Sequence, residues 1–445
     1  MMYDLILKNA TVVNDNSINV SDIAIKDQRI ALINSSIDAE AKKEIDLNGR
    51  YLLPGLIDDQ VHFREPGLTH KGDIASESAA GLAGGVTSYF EMPNVDPATT
   101  TLENLDKKFE LASKRSLANY SFHLGASNNN IEEIKKVDIN LAAGLKVFMG
   151  ASTGDMLVDN RDTLEDIFNY SPLNIVTHCE DTPTIKTNEE AFLAKYGEDL
   201  SARHHPLIRD VESCYLSSSL AVELANKYSS NLHVFHLSTA KEMELFSKGD
   251  IDNKNITAEV CVHHLHFNEQ DYDKLGNLIK CNPSIKSKSD QAALIKAVKE
   301  DRIDIIATDH APHTWDEKSM RFIDAPSGLP LIQHSLQTLL EFYHDDIFTL
   351  EQIVTKTSHN IAKRFQIKDR GYIREGYYAD MAIVDIDKPY KVNKENILYK
   401  CAWSPFENHT FRSSIYMTIL NGSIVFNNNS LSPNLQFGHQ IEFNR

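Results

Sequence analysis

Eight short apolar segments recur along the middle of the chain, and longer segments with helical periodicity separate them. The apolar segments are LLPGLIDDQVHF, VTSYFEM, NYSFHLG, AGLKVFM, NIVTHC, NLHVFHL, ITAEVCV and IDIIATD. Segments that are apolar on both faces are typical of buried parallel strands. Their alternation with helical segments such as ASESAAGLAGG, SCYLSSSLAVELANKY and SDQAALIKAVKE indicates βα units. Eight such units predict a protein of the α/β class with a closed (β/α)8 TIM-type barrel.

Both ends of the chain have a different pattern, in which apolar and polar residues partly alternate as they do in strands. This pattern covers DLILKNATVV and VSDIAIKDQRIALI near the N-terminus, and ADMAIVDID and SSIYMTILNGSIVF near the C-terminus. The last of these contains the hairpin-turn signal Asn421–Gly422. We therefore predict a small β-sandwich domain formed by both termini, from residues 1–53 and 371–445, around a barrel of residues 54–370.

Composition limits the classes of partner. The chain has 445 residues, of which 42% are hydrophobic, so it can bury a large core. A formal net charge of −18 argues against nucleic acid or an anionic membrane as partner, whereas a small-molecule substrate remains compatible. The five cysteines include no CxxC pair, and the N-terminus has no secretory pattern, which together predict a reduced, cytoplasmic protein. The cysteines are Cys179, Cys214, Cys261, Cys281 and Cys401.

Potential metal ligands fall at the ends of the predicted barrel strands, or within one of them. They are His62, Lys146, His178, His236 and Asp309. The C-terminal strand ends of a (β/α)8 barrel converge at its mouth, so these side chains would face one small volume. Imidazole and carboxylate ligands suit zinc, manganese, iron or cobalt, which can lower the pKa of bound water enough to make a nucleophile. The arrangement predicts a metal-dependent hydrolase.

Lys146 needs a separate explanation, because an ammonium group is a poor metal ligand. A lysine carboxylated by CO₂ presents two oxygens that can bridge two cations. Its formation requires a deprotonated amine, which burial beside other cations favours by lowering the lysine pKa.

Seven motifs give the chain a resemblance to the amidohydrolase superfamily, and within it to the type I dihydroorotases. They are HFREPG, MPN, GLKVFM, THCE, HLST, KCNPS and TDHAPH. The resemblance implies two metals held by the five ligands above, with carboxylated Lys146 as the bridge and Asp155 as a weak alternative. Zinc, one or two ions per chain, is the cofactor it implies, and other divalent metals would suit the same ligands.

The same resemblance assigns residues to the substrate. Arg64, Asn94 and His313 match positions that bind an exocyclic carboxylate, and Asn282 matches one that contacts the substrate ring. Asp309 would carry the proton from the attacking water to the departing ring nitrogen. His264 could support the site from behind, although a purely structural histidine explains it equally well.

The first-strand motif departs from the family pattern. Gln60-Val61-His62 stands where the family normally has His-x-His. An amide oxygen is a weaker ligand than imidazole for a borderline metal, so we expect one of the two metals to be bound less tightly. Gln60 is therefore a doubtful ligand.

The activity implied is that of a dihydroorotase, the reversible hydrolysis of (S)-dihydroorotate to N-carbamoyl-L-aspartate in pyrimidine synthesis. One alternative is a hydantoinase, dihydropyrimidinase or allantoinase, and another is a non-catalytic relative that associates with aspartate transcarbamoylase. The resemblance also suggests a homodimer. The loop at 150–157 is suited either to movement over the mouth or to an ordinary connection.

Overall fold

A computed structural model describes residues 2–152 and 154–445. Its strands are β1 (Leu5–Asn14), β2 (Ser17–Lys26), β3 (Arg29–Asn34), β4 (Glu44–Asp46), β5 (Tyr51–Pro54), β6 (Leu56–Val61), β7 (Val86–Glu91), β8 (Asn119–Phe122), β9 (Leu124–Gly125), β10 (Leu145–Phe148), β11 (Ile175–His178), β12 (Leu232–Val234), β13 (Ile256–Cys261), β14 (Ile305–Ala307), β15 (Met381–Asp385), β16 (Tyr390–Lys391), β17 (Thr410–Phe411), β18 (Ser414–Leu420), β19 (Ser423–Asn427) and β20 (Ser430–Leu431).

The α-helices connect these strands or cover them. They are α1 (Ile74–Ala83), α2 (Leu102–Ser113), α3 (Ile131–Lys136), α4 (Arg161–Tyr170), α5 (Thr182–Tyr196), α6 (His205–Ile208), α7 (Val211–Tyr228), α8 (Val262–His266), α9 (Tyr272–Leu275), α10 (Lys288–Lys299), α11 (Trp315–Lys318), α12 (Ser335–His344), α13 (Leu350–Val354) and α14 (Asn360–Phe365). The three helices predicted from periodicity are α1, α7 and α10, so those predictions are confirmed. In the described part of the chain, no helix is long and apolar enough to cross a membrane.

Eight parallel strands form the predicted barrel, and each apolar segment of the sequence contains one of them. Strands β6 to β8 pair in order, and β9 to β14 pair in order; β8 and β9 are two parts of one barrel strand, interrupted at His123. Backbone hydrogen bonds join the two sheets at both places where they meet: Ala143 N donates to Phe122 O at 2.9 Å, and His62 N donates to His310 O at 2.7 Å. The (β/α)8 prediction is confirmed, and the C-terminal strand ends meet at one mouth.

Strands from both termini combine in a second, nine-stranded sheet. Its order is β20-β19-β18-β15-β5-β1-β2-β3, with β4 beside β1. The central contact joins β5 to β15 antiparallel, which brings an N-terminal and a C-terminal segment into register. The prediction that the termini share one β domain is confirmed, while the boundaries at residues 53 and 370 stay a prediction.

A buried ion pair fixes helix α2 to the barrel. Lys108 Nζ lies 2.8 Å from Glu91 Oε2 at the end of β7, and both side chains are almost fully buried. Lys108 also donates to Met92 O at 2.9 Å. A buried carboxylate without its partner is costly, since the protein interior does not solvate it.

We therefore expect Lys108→Ala to destabilise the fold by about 3–5 kcal/mol, because it leaves Glu91 charged and unpaired. The adjacent Lys107 provides a matched control, because its ion pair with Glu103 is exposed to solvent. Lys107→Ala should leave the urea unfolding midpoint unchanged. Equal midpoints for the two variants would show that the buried pair contributes no net stability.

Candidate active site

A pocket of about 480 Å³ opens at the C-terminal ends of the barrel strands. Every residue predicted to bind metal or substrate lines it, except His313 and the alternative bridging ligand Asp155. These residues are Gln60, His62, Arg64, Asn94, Lys146, His178, His236, Asn282 and Asp309. Side chains from seven different strand ends or loops therefore meet in one cavity, as the strand positions predicted.

One side of the pocket is built around Asp309, which follows β14. His62 Nε2 lies 3.0 Å from Asp309 Oδ1, and His62 Nδ1 lies 2.9 Å from Asn94 Oδ1. Gln60 Nε2 donates to Asp309 Oδ1 at 3.2 Å, while its Oε1 accepts from the thiol of Cys261 at 3.7 Å. Gln60 thus presents its amide nitrogen to the carboxylate, and its oxygen faces away from Asp309.

The opposite side contains two imidazoles in direct contact. His178 Nδ1 and His236 Nε2 are 2.9 Å apart. His178 Nε2 lies 2.8 Å from Glu180 Oε2, which Arg209 Nη1 also approaches at 2.6 Å. Burial lowers the pKa of His178 and lowers the pKa of His236 well below its usual value, so both rings are neutral near pH 7.

This donor set fits a borderline divalent cation. Metal ligands must be neutral imidazoles or deprotonated carboxylates, and both kinds are present here. His236 Nδ1 is buried, and none of the described residues is its hydrogen-bond partner. The contact of His178 with Glu180 is the carboxylate support that metal-binding histidines commonly have. The residues of the pocket would therefore hold a metal such as zinc.

Lys146 lies between the two groups and is 1% exposed. Its Nζ stands 4.4 Å from the ring centroid of Phe235 and 4.7 Å from that of Phe148. Burial lowers the pKa of this amine to about 8. About a tenth of the amine is consequently deprotonated at pH 7, and this is the form that reacts with CO₂.

Arg64 supplies a buried positive charge on the substrate side. Its Nε donates to Pro312 O at 3.2 Å, and its Nη2 lies 3.1 Å from His313 Nε2. Burial lowers the pKa of Arg64 only to about 10, so it remains protonated. Among residues 2–152 and 154–445, no Asp or Glu lies within 4 Å of its guanidinium.

His313 lies against the guanidinium of Arg64 and two other charged side chains. Lys71 Nζ lies 3.3 Å from His313 Nδ1, and Glu317 Oε2 lies 3.5 Å from the same nitrogen. Arg64 Nη2 and Ser327 O lie 3.1 Å and 3.0 Å from His313 Nε2. Burial lowers the pKa of His313 to about 3, so the ring is neutral. The contacts of Arg64 with Pro312 O and His313 use at most two of the five guanidinium N–H groups, so the others can bind a ligand in the pocket.

The backbone conformation of three residues and one unpaired side-chain oxygen support the assignment of this pocket as the functional site. Arg64, His236 and Asp309 have φ values of 70°, 39° and 48°, in the left-handed region that non-glycine residues rarely adopt. Such strain concentrates at functional sites, where the surrounding structure holds it in place. Asn282 Oδ1 is buried, with no partner in the described part of the chain, and offers an acceptor for a ring N–H.

Three of the contacts were not predicted. Glu180 and Arg209 orient His178, and the only sequence signal was Glu180 two positions after that histidine in THCE. Asn94 was assigned to the substrate carboxylate, yet its Oδ1 also holds His62. Asp155 is exposed and does not line the pocket, and His264 Nε2 instead contacts Pro283 O at 3.0 Å. The loop prediction at 150–157 includes residue 153, which lies outside the described residues.

Similarity to known proteins extends over the barrel and the terminal sheet. The profile of the Amidohydrolase family matches residues 51–425. A protein named allantoinase from Desulfitobacterium hafniense is 32% identical over 434 residues, 95% of each chain. A protein named dihydroorotase from Methanosphaera stadtmanae is 30% identical over 437 residues, 97% of this chain and 98% of its own. A solved structure of L-hydantoinase (dihydropyrimidinase) from Arthrobacter aurescens matches with a TM-score of 0.94 at 26% identity, covering 99% and 100% of the two chains.

Proposed function

From the premise that the chain belongs to the amidohydrolase family, we propose that it is a dihydroorotase. The reaction is the reversible hydrolysis of (S)-dihydroorotate to N-carbamoyl-L-aspartate. Relatives with this name and with the name allantoinase are about equally similar to the chain, at 30% and 32% identity. Overall sequence similarity therefore does not identify the substrate, which has to be inferred from the side chains that line the pocket.

The observation that carries the proposal is the buried guanidinium of Arg64. It lines the pocket, is 7% exposed and has no carboxylate partner among the described residues. A desolvated guanidinium favours an anionic ligand, and its planar fork matches a carboxylate. Dihydroorotate has a ring carboxylate, whereas hydantoin, dihydrouracil and allantoin have none.

The metal would be held by the ligands on both sides of the pocket. These are His62 and Asp309 on one side, and His178 and His236 on the other, with carboxylated Lys146 between them. A zinc ion bound there supplies Lewis acidity, which polarises a carbonyl oxygen and lowers the pKa of water. Arg64 and Asn94 would hold the substrate carboxylate, and Asn282 Oδ1 would accept a ring N–H.

Asp309 is placed to move the proton of the reaction. Hydrolysis adds the oxygen of water to the ring carbonyl carbon and breaks the bond from that carbon to the ring nitrogen. The departing nitrogen needs a proton, and the attacking water loses one. Asp309 Oδ1, which already accepts from Gln60, would take the proton from water and deliver it to nitrogen. The same groups would close the ring in the reverse direction.

Substrate comparison tests the proposal directly. The zinc-loaded protein should open dihydroorotate with a kcat/KM at least about 10²-fold above that for hydantoin, dihydrouracil or allantoin, since the last three leave a buried charge unpaired. A better kcat/KM for allantoin would assign the chain to the allantoinases. No turnover of any ring, together with stable binding of aspartate transcarbamoylase, would favour the non-catalytic partner; a homodimer stays a prediction.

Gln60 leads to a prediction about metal affinity. Gln60→His replaces an amide with imidazole, the better ligand for a borderline cation, and should tighten binding of the weaker ion by at least about 10-fold. Gln60→Asn keeps an amide and serves as the control. Competition with a chelator, followed by metal analysis per chain, measures the difference. Equal affinities in the two variants would mean that this position does not contact the metal.

A further inference from the structure

A second group of ionisable side chains lies directly beneath the pocket, inside the barrel. It consists of Asp59 on β6, His233 on β12 and Glu259 on β13, each fully buried. Glu259 Oε1 accepts from the backbone N–H of His236 at 3.4 Å, which places the group next to the pocket floor. Barrel interiors of this kind are usually filled by branched apolar side chains, so three polar groups here need an explanation.

Thr257 contacts one ring nitrogen of His233. His233 Nδ1 lies 2.8 Å from Thr257 Oγ1, and this hydroxyl oxygen also lies 3.3 Å from Leu232 O. His233 Nε2 faces the two acids, 3.5 Å from Asp59 Oδ2 and 3.4 Å from Glu259 Oε2.

These distances are too long for direct ionic hydrogen bonds, which span about 2.7–2.9 Å. Neither oxygen of the Asp59 carboxylate accepts a hydrogen bond from any residue in 2–152 or 154–445. Within the same residues, no lysine or arginine lies within 4 Å of Asp59 or Glu259. Burial beside Asp59 and Asp58 raises the pKa of Glu259 well above its usual value, so without a cation the acids retain a proton, which a bound cation would replace.

The spacing suits a cation in the middle of the group. Zinc bonds to imidazole nitrogen and carboxylate oxygen measure about 2.0–2.2 Å, so at tetrahedral angles the ligand atoms stand about 3.3–3.6 Å apart. The two measured separations fall in this range. Support of the imidazole through its other nitrogen, here by Thr257, is also the usual arrangement for a metal-binding histidine.

We propose that Asp59, His233 and Glu259 bind a divalent cation inside the barrel, separate from the metal in the pocket. The ligands are two carboxylate oxygens and one imidazole nitrogen, a set that suits zinc. The site does not depend on the proposed activity, since none of its three residues lines the pocket. The ion neutralises the two carboxylates. It also stabilises the base of the pocket, which Gln60 and His236 line.

Metal analysis of zinc-loaded, dialysed protein tests the site. Asp59→Asn and Glu259→Gln should each contain one zinc per chain fewer than the unmodified protein. Glu242→Gln is the matched control, because Glu242 is an equally buried acid whose partners are the hydroxyls of Ser218 and Thr239. This control should keep the full zinc content, and the double variant His178→Asn/His236→Asn should keep the interior zinc.

Anomalous diffraction at the zinc edge on the unmodified protein decides the question even if the variants fail to fold. A peak between the three side chains, at bonding distance from each, is the expected result. A zinc-loaded pocket with no peak at this position would overturn the proposal, and so would a full zinc content in Asp59→Asn. Failure of the proposed function would show differently, as an interior peak in a protein that does not open dihydroorotate.

Discussion

Arg64→Gln should lower kcat/KM for dihydroorotate by about 10³-fold, because removing one partner of a buried, hydrogen-bonded charge pair costs about 2–5 kcal/mol. The guanidinium is already desolvated, and no carboxylate of the described residues lies within 4 Å of it, although Asp309 acts on its charge from a greater distance. Its interaction with the ring carboxylate would therefore be strong and little screened by salt. Most of the loss should be in KM, since the carboxylate is remote from the bond that breaks.

Two controls separate carboxylate binding from a structural role. Arg64→Lys keeps the charge but loses the planar fork, so it should recover only part of the activity. Dihydrouracil, which has the same ring without the carboxylate, should be opened no more slowly by Arg64→Gln than by the unmodified protein. If both substrates lost the same factor, Arg64 would act by maintaining the barrel mouth, and the dihydroorotase proposal would lose its main support.

The barrel could be predicted because its signal is local and repeated. Buried parallel strands give continuous apolar segments, such as AGLKVFM for β10, and the intervening helices give a different period. The secondary structure of each segment can therefore be predicted from the pattern of its own residues, without information on the segments it packs against. The pairing of β5 with β15 is harder, since it joins segments more than 300 residues apart in the sequence. Only the alternation of apolar and polar residues near both termini indicated that these segments share a sheet.

The site could be predicted only where a residue stands at or near a strand end. His62, His178 and Asp309 share that position, so the barrel geometry alone brings them together. The amide orientation of Gln60 and the contact of Glu180 with Arg209 depend on side-chain packing, which sequence spacing does not encode. The interior group of Asp59, His233 and Glu259 was missed for the same reason. These residues lie on three strands, and only the register of the barrel aligns them.

Lys146 is the proposed metal ligand whose chemistry depends most on its surroundings. The aromatic rings of Phe148 and Phe235 exclude water from the amine, and none of the described acids pairs with it within 4 Å. Desolvation disfavours the ammonium form, so the pKa falls to about 8. The free amine can attack CO₂, forming an N–C bond and releasing one proton, which converts a neutral amine into a carbamate anion in the pocket.

Metal-free protein should accordingly recover activity with zinc at a rate that rises with pH when the concentration of dissolved CO₂, the species that reacts with the amine, is held constant. With a lysine pKa of about 8, the deprotonated fraction grows from roughly 0.1 at pH 7 to roughly 0.5 at pH 8, so the rate should rise about fivefold and level off above pH 9. The direction follows from the reactive form being the base. A rate independent of both pH and the CO₂ concentration would exclude carboxylation of Lys146.

Lys146→Ala should lower turnover by at least about 10³-fold, since it removes the group that joins the two sides of the pocket and weakens metal binding. If the required species is a carboxylate, then acetate or propionate at high concentration should occupy the vacated space and restore part of the activity, while ethylamine should not. Native mass spectrometry of the unmodified protein should show an added 44 Da (about one CO₂), absent from Lys146→Ala. Rescue by ethylamine would instead mean that the lysine acts as an ammonium, and carboxylation would have to be abandoned.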